Sequence, residues 1–411
     1  MKHLFNWTSI FGTIFIFLFL WGISKIGVQF EFLNVFEQVF ENFTLSDYYY
    51  TLRGSDIKHD DRVVIVNIGD ESREVTAKQI EILNKYEPKV IAIDAFFRKL
   101  KPEFSQDSAL AASIQQTENF VLVSELVDLD SASNTWGGVV NSHEFFQQHA
   151  HAGYANTITE EDAKEYFNTW KKIKPKQKVK GREPIPCFAA KVVEFYDKAK
   201  YDKFMKRGNE VENIYFRGNT PSRTDELRGF PAAYTTLDVE QILFEQFEPD
   251  VIKDKIVLLG YMGTEYTSKN WDGDKFFTPL NKEPLGRTYP DMYGVVVHAN
   301  IISMILDENY IDVMSPYLGI ALAIILCYLN VALFVFILKK KRLAPWYGGI
   351  SKIIQLLEVV FLVFLTVYFF GSSLYKADTT LAMLAILVSG DLAEIYLDVM
   401  GNIFHTHKVE H

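Results

Sequence analysis

The chain has 411 residues, with 42 lysines and arginines against 52 aspartates and glutamates, which gives a formal net charge of −10. Hydrophobic residues make up 48% of the sequence and aromatic residues 15%, so the chain is neither disordered nor collagen-like. The acidic balance also excludes nucleic-acid binding through overall charge. The two cysteines, Cys187 and Cys327, lie in different kinds of segment and are not expected to form a disulfide.

Long apolar segments before and after a large polar region predict membrane-spanning helices. We place them at residues 4–26, 315–338, 353–375 and 379–400. A cleaved signal peptide is the rival interpretation of the first segment, but the apolar run exceeds the usual length of about 7–15 residues. The basic residues 339–342 mark the cytoplasmic side, so residues 28–314 are expected outside the membrane and the short tail 401–411 inside. This topology predicts a bacterial inner-membrane protein with its large domain in the periplasm.

Residues 28–314 alternate between apolar runs typical of buried strands and patterns typical of amphipathic helices. We expect strands at 62–68, 89–94, 120–124, 213–216 and 255–260, and helices at 73–86, 105–116, 187–198, 237–247 and 294–307. This alternation predicts an α/β domain with a largely parallel sheet and helices on its faces. The lysine-rich stretch 171–180 is expected to form a solvated loop, with a phosphate or lipid-headgroup site as the alternative.

The same region contains a series of sequence blocks in a distinctive order. They are DYYYTLRG (47–54), DRVVIVNIGDES (61–72), VIAIDAFF (90–97), NIYFRG (213–218), TTLDVEQIL (235–243), DKIVLLGYMG (254–263), D-x-x-x-T-P (274–279) and YGVVVHANII (293–302). In this order, with one apolar segment before them and three after, the blocks resemble the type-2 CHASE domain, an extracellular sensory module associated with cyclases and histidine kinases. The resemblance implies a sensory role. Members of that family usually continue into a cytoplasmic effector, and this chain is expected to lack one.

Asn67, Asp70 and Asp94 lie at or just after the carboxyl ends of two predicted strands, which we expect to be adjacent. Open parallel sheets place their ligand crevice at this edge, so the three residues are candidates for a polar-ligand or cation site. Asp94 follows four apolar residues, and its carboxylate is therefore expected to be partly buried and to need partners. The alternative is that Asp94 caps the next element or accepts backbone hydrogen bonds in a structural network.

A second candidate ligand-binding group consists of Asp274, Thr278, His298 and Asn300. His298 and Asn300 lie on an apolar predicted helix, so at least one of them is expected to point toward the core or the preceding loop. A packed, hydrogen-bonded histidine is the alternative to a ligand or metal role for His298. Because the sequence shows no HExxH or CxxC spacing and no GxSxG, Walker or GxGxxG motif, we expect no catalytic residues, metal or cofactor.

Carboxylates in the last two apolar segments form a third candidate group. Glu358 lies in the first of these segments, and Asp391, Glu394 and Asp398 share one helical face of the second. Carboxylates at bilayer depth are costly unless they are paired, protonated or turned away from lipid. We expect Glu358, Asp391 and Glu394 to contact a partner. Asp391 is expected to be buried there, opposite a cation from another polypeptide, and Asp398 to lie at the cytoplasmic interface.

Together these features predict a non-enzymatic sensory or scaffold subunit of the inner membrane. Its periplasmic domain would bind a ligand or a protein, and the chain would act through an unidentified integral membrane partner within the lipid bilayer. The alternative is an accessory subunit of an ion-coupled motor, transport or secretion complex that uses intramembrane carboxylates. A periplasmic hydrolase is disfavoured because no activated nucleophile is found. The same features are compatible with a homo-oligomer, and no nucleic-acid partner is expected.

Overall fold

The structure, a computed structural model, separates into two compact units. It describes residues 7–25, 49–50, 53, 57–156, 169–220, 232–263, 274–281 and 290–406. The outer unit spans Tyr50–Ile311, and the membrane unit combines Met1–Tyr49 with Asp312–His411. Most of the predicted 47–54 block, and the start of the domain predicted at 28–314, lie outside the described residues.

A seven-stranded sheet forms the centre of the outer unit. Its strands are β1 (Val63–Asn67), β2 (Val90–Asp94), β3 (Phe120–Asp130), β4 (Thr135–Val140), β5 (His151–Tyr154), β6 (Thr235–Leu237) and β7 (Ile256–Gly260). Their order is β6-β1-β7-β2-β3-β4, with β5 also paired to β3, and every pair except β3–β4 is parallel. The predicted largely parallel α/β fold is therefore confirmed. The predicted adjacency of β1 and β2 is wrong, because β7 lies between them.

Helices cover both faces of this sheet, as expected of a parallel sheet buried on both sides. They are α2 (Arg73–Asn84), α3 (Phe104–Gln115), α4 (Glu144–Gln147), α5 (Phe188–Tyr196), α6 (Lys198–Lys206), α7 (Val239–Leu243) and α8 (Gly294–Asp307), with a 3₁₀ turn at Pro249–Val251. Helices α2, α3 and α7 contribute to one apolar core with alternate residues of β1, β7, β2 and β3. Helices α5 and α8 pack on each other and on the sheet. The 14-residue helix α8 is buried along almost its whole length.

Several short elements differ from the sequence expectation. The strand expected at 213–216 is only Glu212–Asn213, which pairs with Lys172–Ile173 and not with the central sheet. Further two-residue ladders join Lys176–Gln177 to Ile185–Pro186 and Lys275–Phe276 to Met292–Tyr293. The stretch 171–180 is not a uniformly solvated loop, because residues 173, 175, 177 and 179 are buried. Its lysines alternate with side chains that face the interior, in the period-2 pattern of an extended chain.

The membrane unit contains long apolar helices that pack through small residues. They are α1 (Trp7–Lys25), α9 (Pro316–Lys339), α10 (Tyr347–Ser373) and α11 (Thr380–Thr406), with a 3₁₀ turn at Ala344–Trp346 and a ladder of Asp312–Val313 with Tyr375–Lys376. Three helical segments, at Pro316–Lys339, Ala344–Ser373 and Thr380–Met400, are long and apolar enough to cross a membrane. The apolar part of α1, Trp7–Gly22, is shorter. Helix α11 continues to Thr406, into the segment expected as a tail.

Candidate functional site

A crevice forms where the carboxyl end of β2 meets the amino terminus of α8. Asp94 is the last residue of β2, and Gly294 is the first residue of α8. A Cβ atom at Gly260, the last residue of β7, would lie only 2.5 Å from the Cβ of Val295. A glycine at this position is therefore what allows the first turn of α8 to approach the end of the sheet so closely. That approach brings Gly294 beside the carboxylate of Asp94.

We call the group formed by Asp94, Asp274, Gly294 and His298 the Asp94 crevice. A Cβ atom at Gly294 would lie 3.4 Å from Oδ2 of Asp94 and 3.6 Å from Oδ1 of Asp274. The same point would lie 3.3 Å from a ring carbon of Phe276. Two carboxylates that are distant in the sequence thus converge on one glycine at the start of a helix, beside an aromatic ring.

His298 faces Asp94 from the second turn of α8. Its Nε2 lies 3.8 Å from Oδ2 of Asp94, which is beyond hydrogen-bonding distance. Only 2% of the His298 surface is exposed, and the rings of Trp170 and Phe188 contact the imidazole at steep angles. No residue in the described part of the chain pairs with its Nδ1. The expected alternative, a packed and fully hydrogen-bonded histidine, is therefore only half correct, since His298 is packed but not satisfied.

Burial dominates the electrostatics of the Asp94 crevice. It raises the pKa of the Asp94 carboxyl above its ordinary value, and the nearby imidazole offsets only part of that change. Burial likewise lowers the pKa of His298, with a partial offset from Asp94. Both changes disfavour the charged forms of these side chains. A positive charge placed beside Asp94 would favour its ionised form and would itself be stabilised.

Asn67, which was predicted to belong to the same site, has a structural role. Its side-chain nitrogen donates to Oδ1 of Asp238 at 3.1 Å and to the carbonyl of Gly263 at 3.0 Å. Its side-chain oxygen accepts from the backbone N–H groups of Gly69 at 3.0 Å and Met262 at 2.9 Å. An amide has two donor hydrogens and two acceptor lone pairs, so this residue has no capacity left for a ligand. It fastens the loop after β7 to the end of β1.

The other predicted residues also lie outside the crevice. Asp70 is exposed at the surface. The backbone N–H and hydroxyl of Thr278 donate to the two carboxylate oxygens of Asp291, at 2.8 and 2.5 Å. Asn300 is fully buried and binds the backbone of residues 217–218 through both its oxygen and its nitrogen. Of the seven candidates, only Asp94, Asp274 and His298 come together.

Sequence reasoning missed a buried ion network at the far end of α8. Arg62 pairs with Asp60 at 2.8 Å and with Asp307 at 2.7 Å, and Arg217 also pairs with Asp307. The hydroxyl of Ser303 donates to Asp60 at 2.7 Å. These contacts hold the pKa of Asp60 at about 2, below its ordinary 3.8. Because the partners are up to 245 positions apart in the chain, no local sequence signal identifies them.

Two of the membrane carboxylates, Asp391 and Glu358, have partners within this chain. Nζ of Lys352 lies 2.8 and 2.7 Å from the two carboxylate oxygens of Asp391, on a surface where the two side chains are 55% and 63% exposed. Asp391 therefore has a cation within this chain, whereas the prediction placed that cation on another polypeptide, and contact of Asp391 with a partner stays a prediction. Glu358 accepts a hydrogen bond from Asn330 at 2.7 Å. Glu394 is exposed on the same helix as Asp391, and its contact with a partner stays a prediction.

The Asp94 crevice combines hydrogen-bond acceptors with aromatic surface. Asp94 and Asp274 supply acceptor oxygens, and Trp170, Phe188 and Phe276 supply aromatic surface. Across the residues with described positions, no group of three or more His, Cys, Asp or Glu side chains is arranged to hold a metal ion.

Comparison with known families decides what kind of domain carries this crevice. The profile of the CHASE2 domain, a family of periplasmic sensory domains, matches residues 13–334. The chain belongs to the CHASE2 family. The match runs from α1 through the outer unit and into α9, so it includes the Asp94 crevice and the predicted resemblance is confirmed. A search of curated proteins and a search of solved structures each found no match.

Proposed function

We propose that this CHASE2 protein is a sensor of the bacterial inner membrane, whose periplasmic outer unit binds a ligand in the Asp94 crevice and which acts through a membrane partner. The family match supports the sensory role. The observation that carries the ligand proposal is that the buried His298 and the partly buried Asp94 face each other at 3.8 Å without a hydrogen bond between them. Polar groups buried in this way are uncommon and usually have a functional explanation.

The proposed topology rests on the basic cluster 339–342 at the end of α9, together with the three candidate spans. Single cysteines at Lys178 and Arg342, both exposed, test it with a membrane-impermeant thiol reagent applied to cells. The native thiols give little background, since Cys187 and Cys327 are buried and burial raises the pKa of Cys187 to about 12. We expect labelling of Lys178→Cys and not of Arg342→Cys. The reverse pattern would place the outer unit in the cytoplasm.

The proposed partner contact lies on the exposed face of α11 that carries Glu394 and Asp398. An exposed carboxylate on a candidate spanning helix needs a cation, a proton or water, and a basic group of a partner helix would supply the first. The alternative, an accessory subunit of an ion-coupled complex, depends on unpaired intramembrane carboxylates. Asp391, one of these carboxylates, pairs with Lys352 within the chain, so we do not propose that alternative.

Co-purification of the full chain from native membranes tests the partner contact. Glu394→Gln combined with Asp398→Asn removes the two charges while keeping side-chain size, and we expect it to weaken association with the partner. The matched control is Lys352→Gln combined with Asp391→Asn, which removes a pair that is already satisfied within the chain. If both double variants retain the same proteins as the unmodified chain, α11 does not contact a partner through its carboxylates.

A further inference from the structure

Asp94 and His298 are two buried polar side chains whose hydrogen-bonding capacity is not used. Asp94 is 16% exposed, and its carboxylate makes no hydrogen bond within the described ranges. His298 is 2% exposed, and its Nδ1 has no partner there. Leaving such groups without partners is unfavourable, so a ligand that supplies hydrogen bonds to them would stabilise the folded chain.

The surroundings of Gly294 define the chemical character of the region beside these groups. Because Gly294 has no side chain, the point where a Cβ would lie is bordered by carboxylate oxygens of Asp94 and Asp274 and by the ring of Phe276, at 3.3–3.6 Å. Carboxylate oxygens of Asp94 and Asp274 and the ring of Phe276 thus lie around the same point next to Gly294. Trp170 packs against Phe276 with a centroid separation of 4.8 Å and also contacts the ring of His298. We call Phe276 and Trp170 the aromatic wall.

This combination selects for the chemistry of an ammonium group. Carboxylates bind N–H donors of a cation in charge-assisted hydrogen bonds, which are the stronger kind. Aromatic faces attract the same cation through their quadrupoles. A divalent metal would need more oxygen or nitrogen ligands than the described residues bring together. A quaternary ammonium would keep the aromatic attraction but has no N–H to donate to Asp94.

We propose that the ligand of the Asp94 crevice is a small organic cation with a primary ammonium group, bound between Asp94 and the aromatic wall. This inference rests on the proposed ligand-sensing function. The ammonium donates to the Asp94 carboxylate, whose Oδ2 lies 3.8 Å from Nε2 of His298. The alkyl part of the ligand packs against Phe276 and Trp170. Gly294 keeps the entry to the carboxylates open.

The test measures thermal stabilisation of the full chain in lipid nanodiscs, because a ligand that binds only the folded state raises the melting temperature, and raises it further the more tightly it binds. The probe is ethylammonium chloride, compared at equal ionic strength with tetramethylammonium chloride and sodium chloride. We expect ethylammonium alone to stabilise the protein. Equal stabilisation by tetramethylammonium, or none beyond that of sodium chloride, would overturn the proposed ligand class.

Two variants connect the effect to the crevice. Gly294→Ala places a methyl group 3.4 and 3.6 Å from the two carboxylates and 3.3 Å from the ring of Phe276 without removing a charge, and Asp94→Asn removes the charge without changing size. Each should lower the ethylammonium affinity about tenfold or more. Gly138→Ala is the control, since its Cβ would lie in ordinary contact with Val127. Undiminished affinity in Asp94→Asn would place any binding elsewhere, even if Gly294→Ala did not fold.

A parallel titration with sodium acetate and with glycerol separates this inference from the sensory function on which it rests. Stabilisation by acetate or glycerol that is lost in Gly294→Ala or Asp94→Asn would keep the crevice as a ligand site and refute the organic cation. If no probe stabilises the protein in a way that depends on the crevice, both the organic-cation ligand and the ligand-sensing function are refuted. Stabilisation by ethylammonium that is lost in both variants supports both.

Discussion

Replacing Asp60 with asparagine tests how much the buried ion network stabilises the outer unit. Asp60 is 3% exposed, and its pKa of about 2 lies below its ordinary 3.8 because Arg62, Arg217 and Ser303 favour the carboxylate. At about 1.4 kcal/mol per pKa unit, this difference corresponds to about 2 kcal/mol of stability at neutral pH. The variant also leaves Arg217, which is 8% exposed, with less negative charge around it. Breaking a buried pair costs about 3–5 kcal/mol, so we expect a loss of about 2–4 kcal/mol.

The pH dependence gives an independent check on this figure. A carboxylate whose pKa is depressed by folding stabilises the protein above its unfolded pKa, and that stability is lost as the pH falls through the folded pKa. The difference between the unmodified chain and Asp60→Asn should therefore be full above about pH 4 and shrink toward pH 2. This difference in the free energy of unfolding is measured by guanidinium unfolding of the full chain in nanodiscs, with tryptophan fluorescence as the signal. The control is Glu81→Gln, which removes an exposed pair with Lys78 and should cost at most about 0.5 kcal/mol. Equal losses in the two variants at pH 7 would refute the reasoning.

Further predictions concern packing, pH and the membrane unit. Gly260→Ala should lower the melting temperature by the equivalent of about 1–3 kcal/mol, because its Cβ would lie 2.5 Å from Val295, whereas Gly138→Ala should be tolerated. Burial raises the pKa of Asp291 to about 7, so its contribution to stability falls as the pH rises from about 4 through 7. Asp291→Asn should accordingly reduce the loss of melting temperature between pH 5 and pH 8. Gln355→Leu removes donors to two backbone carbonyls of α11 at 2.8 and 3.0 Å, and should lower resistance to unfolding in SDS by about 1 kcal/mol.

The parts of the fold that the sequence predicts well are those with strong local patterns. Strands β1, β2 and β7 are continuous apolar runs, and the helix predicted at 294–307 coincides with α8, whose apolar pattern is long. Strand β5 was missed because it has only four residues and includes Gly153, whose Cβ would lie 2.6 Å from the backbone of Phe188. That glycine serves close packing of α5 on the sheet, which no local pattern of the strand reveals.

Strand order is the second reason that the site was only partly predicted. The sequence places β1 and β2 next to each other in the chain, and a sheet that follows chain order would make Asn67 and Asp94 neighbours. Strand β7, which comes about 160 residues later than β2, inserts between them, as non-local pairing allows in doubly wound sheets. The residues that do meet Asp94 come from α8 and from the segment before it, and their contact depends on the packing of α8 at Gly260.

Asn67 and Asp94 show why a polar residue at the end of a strand does not by itself indicate a binding site. Both are register partners of Gly260, one on each side of β7, so they occupy equivalent positions in the sheet. The amide of Asn67 can donate and accept, and the loop after β7 offers both a carbonyl and an N–H to it. The ionised carboxylate of Asp94 can only accept, and it meets a second carboxylate and a buried histidine in place of backbone donors. Among the described residues, the fold supplies hydrogen-bond partners for the side chain of Asn67 but not for that of Asp94. A ligand would therefore add the most hydrogen bonding at Asp94, and the sequence alone does not distinguish these two positions.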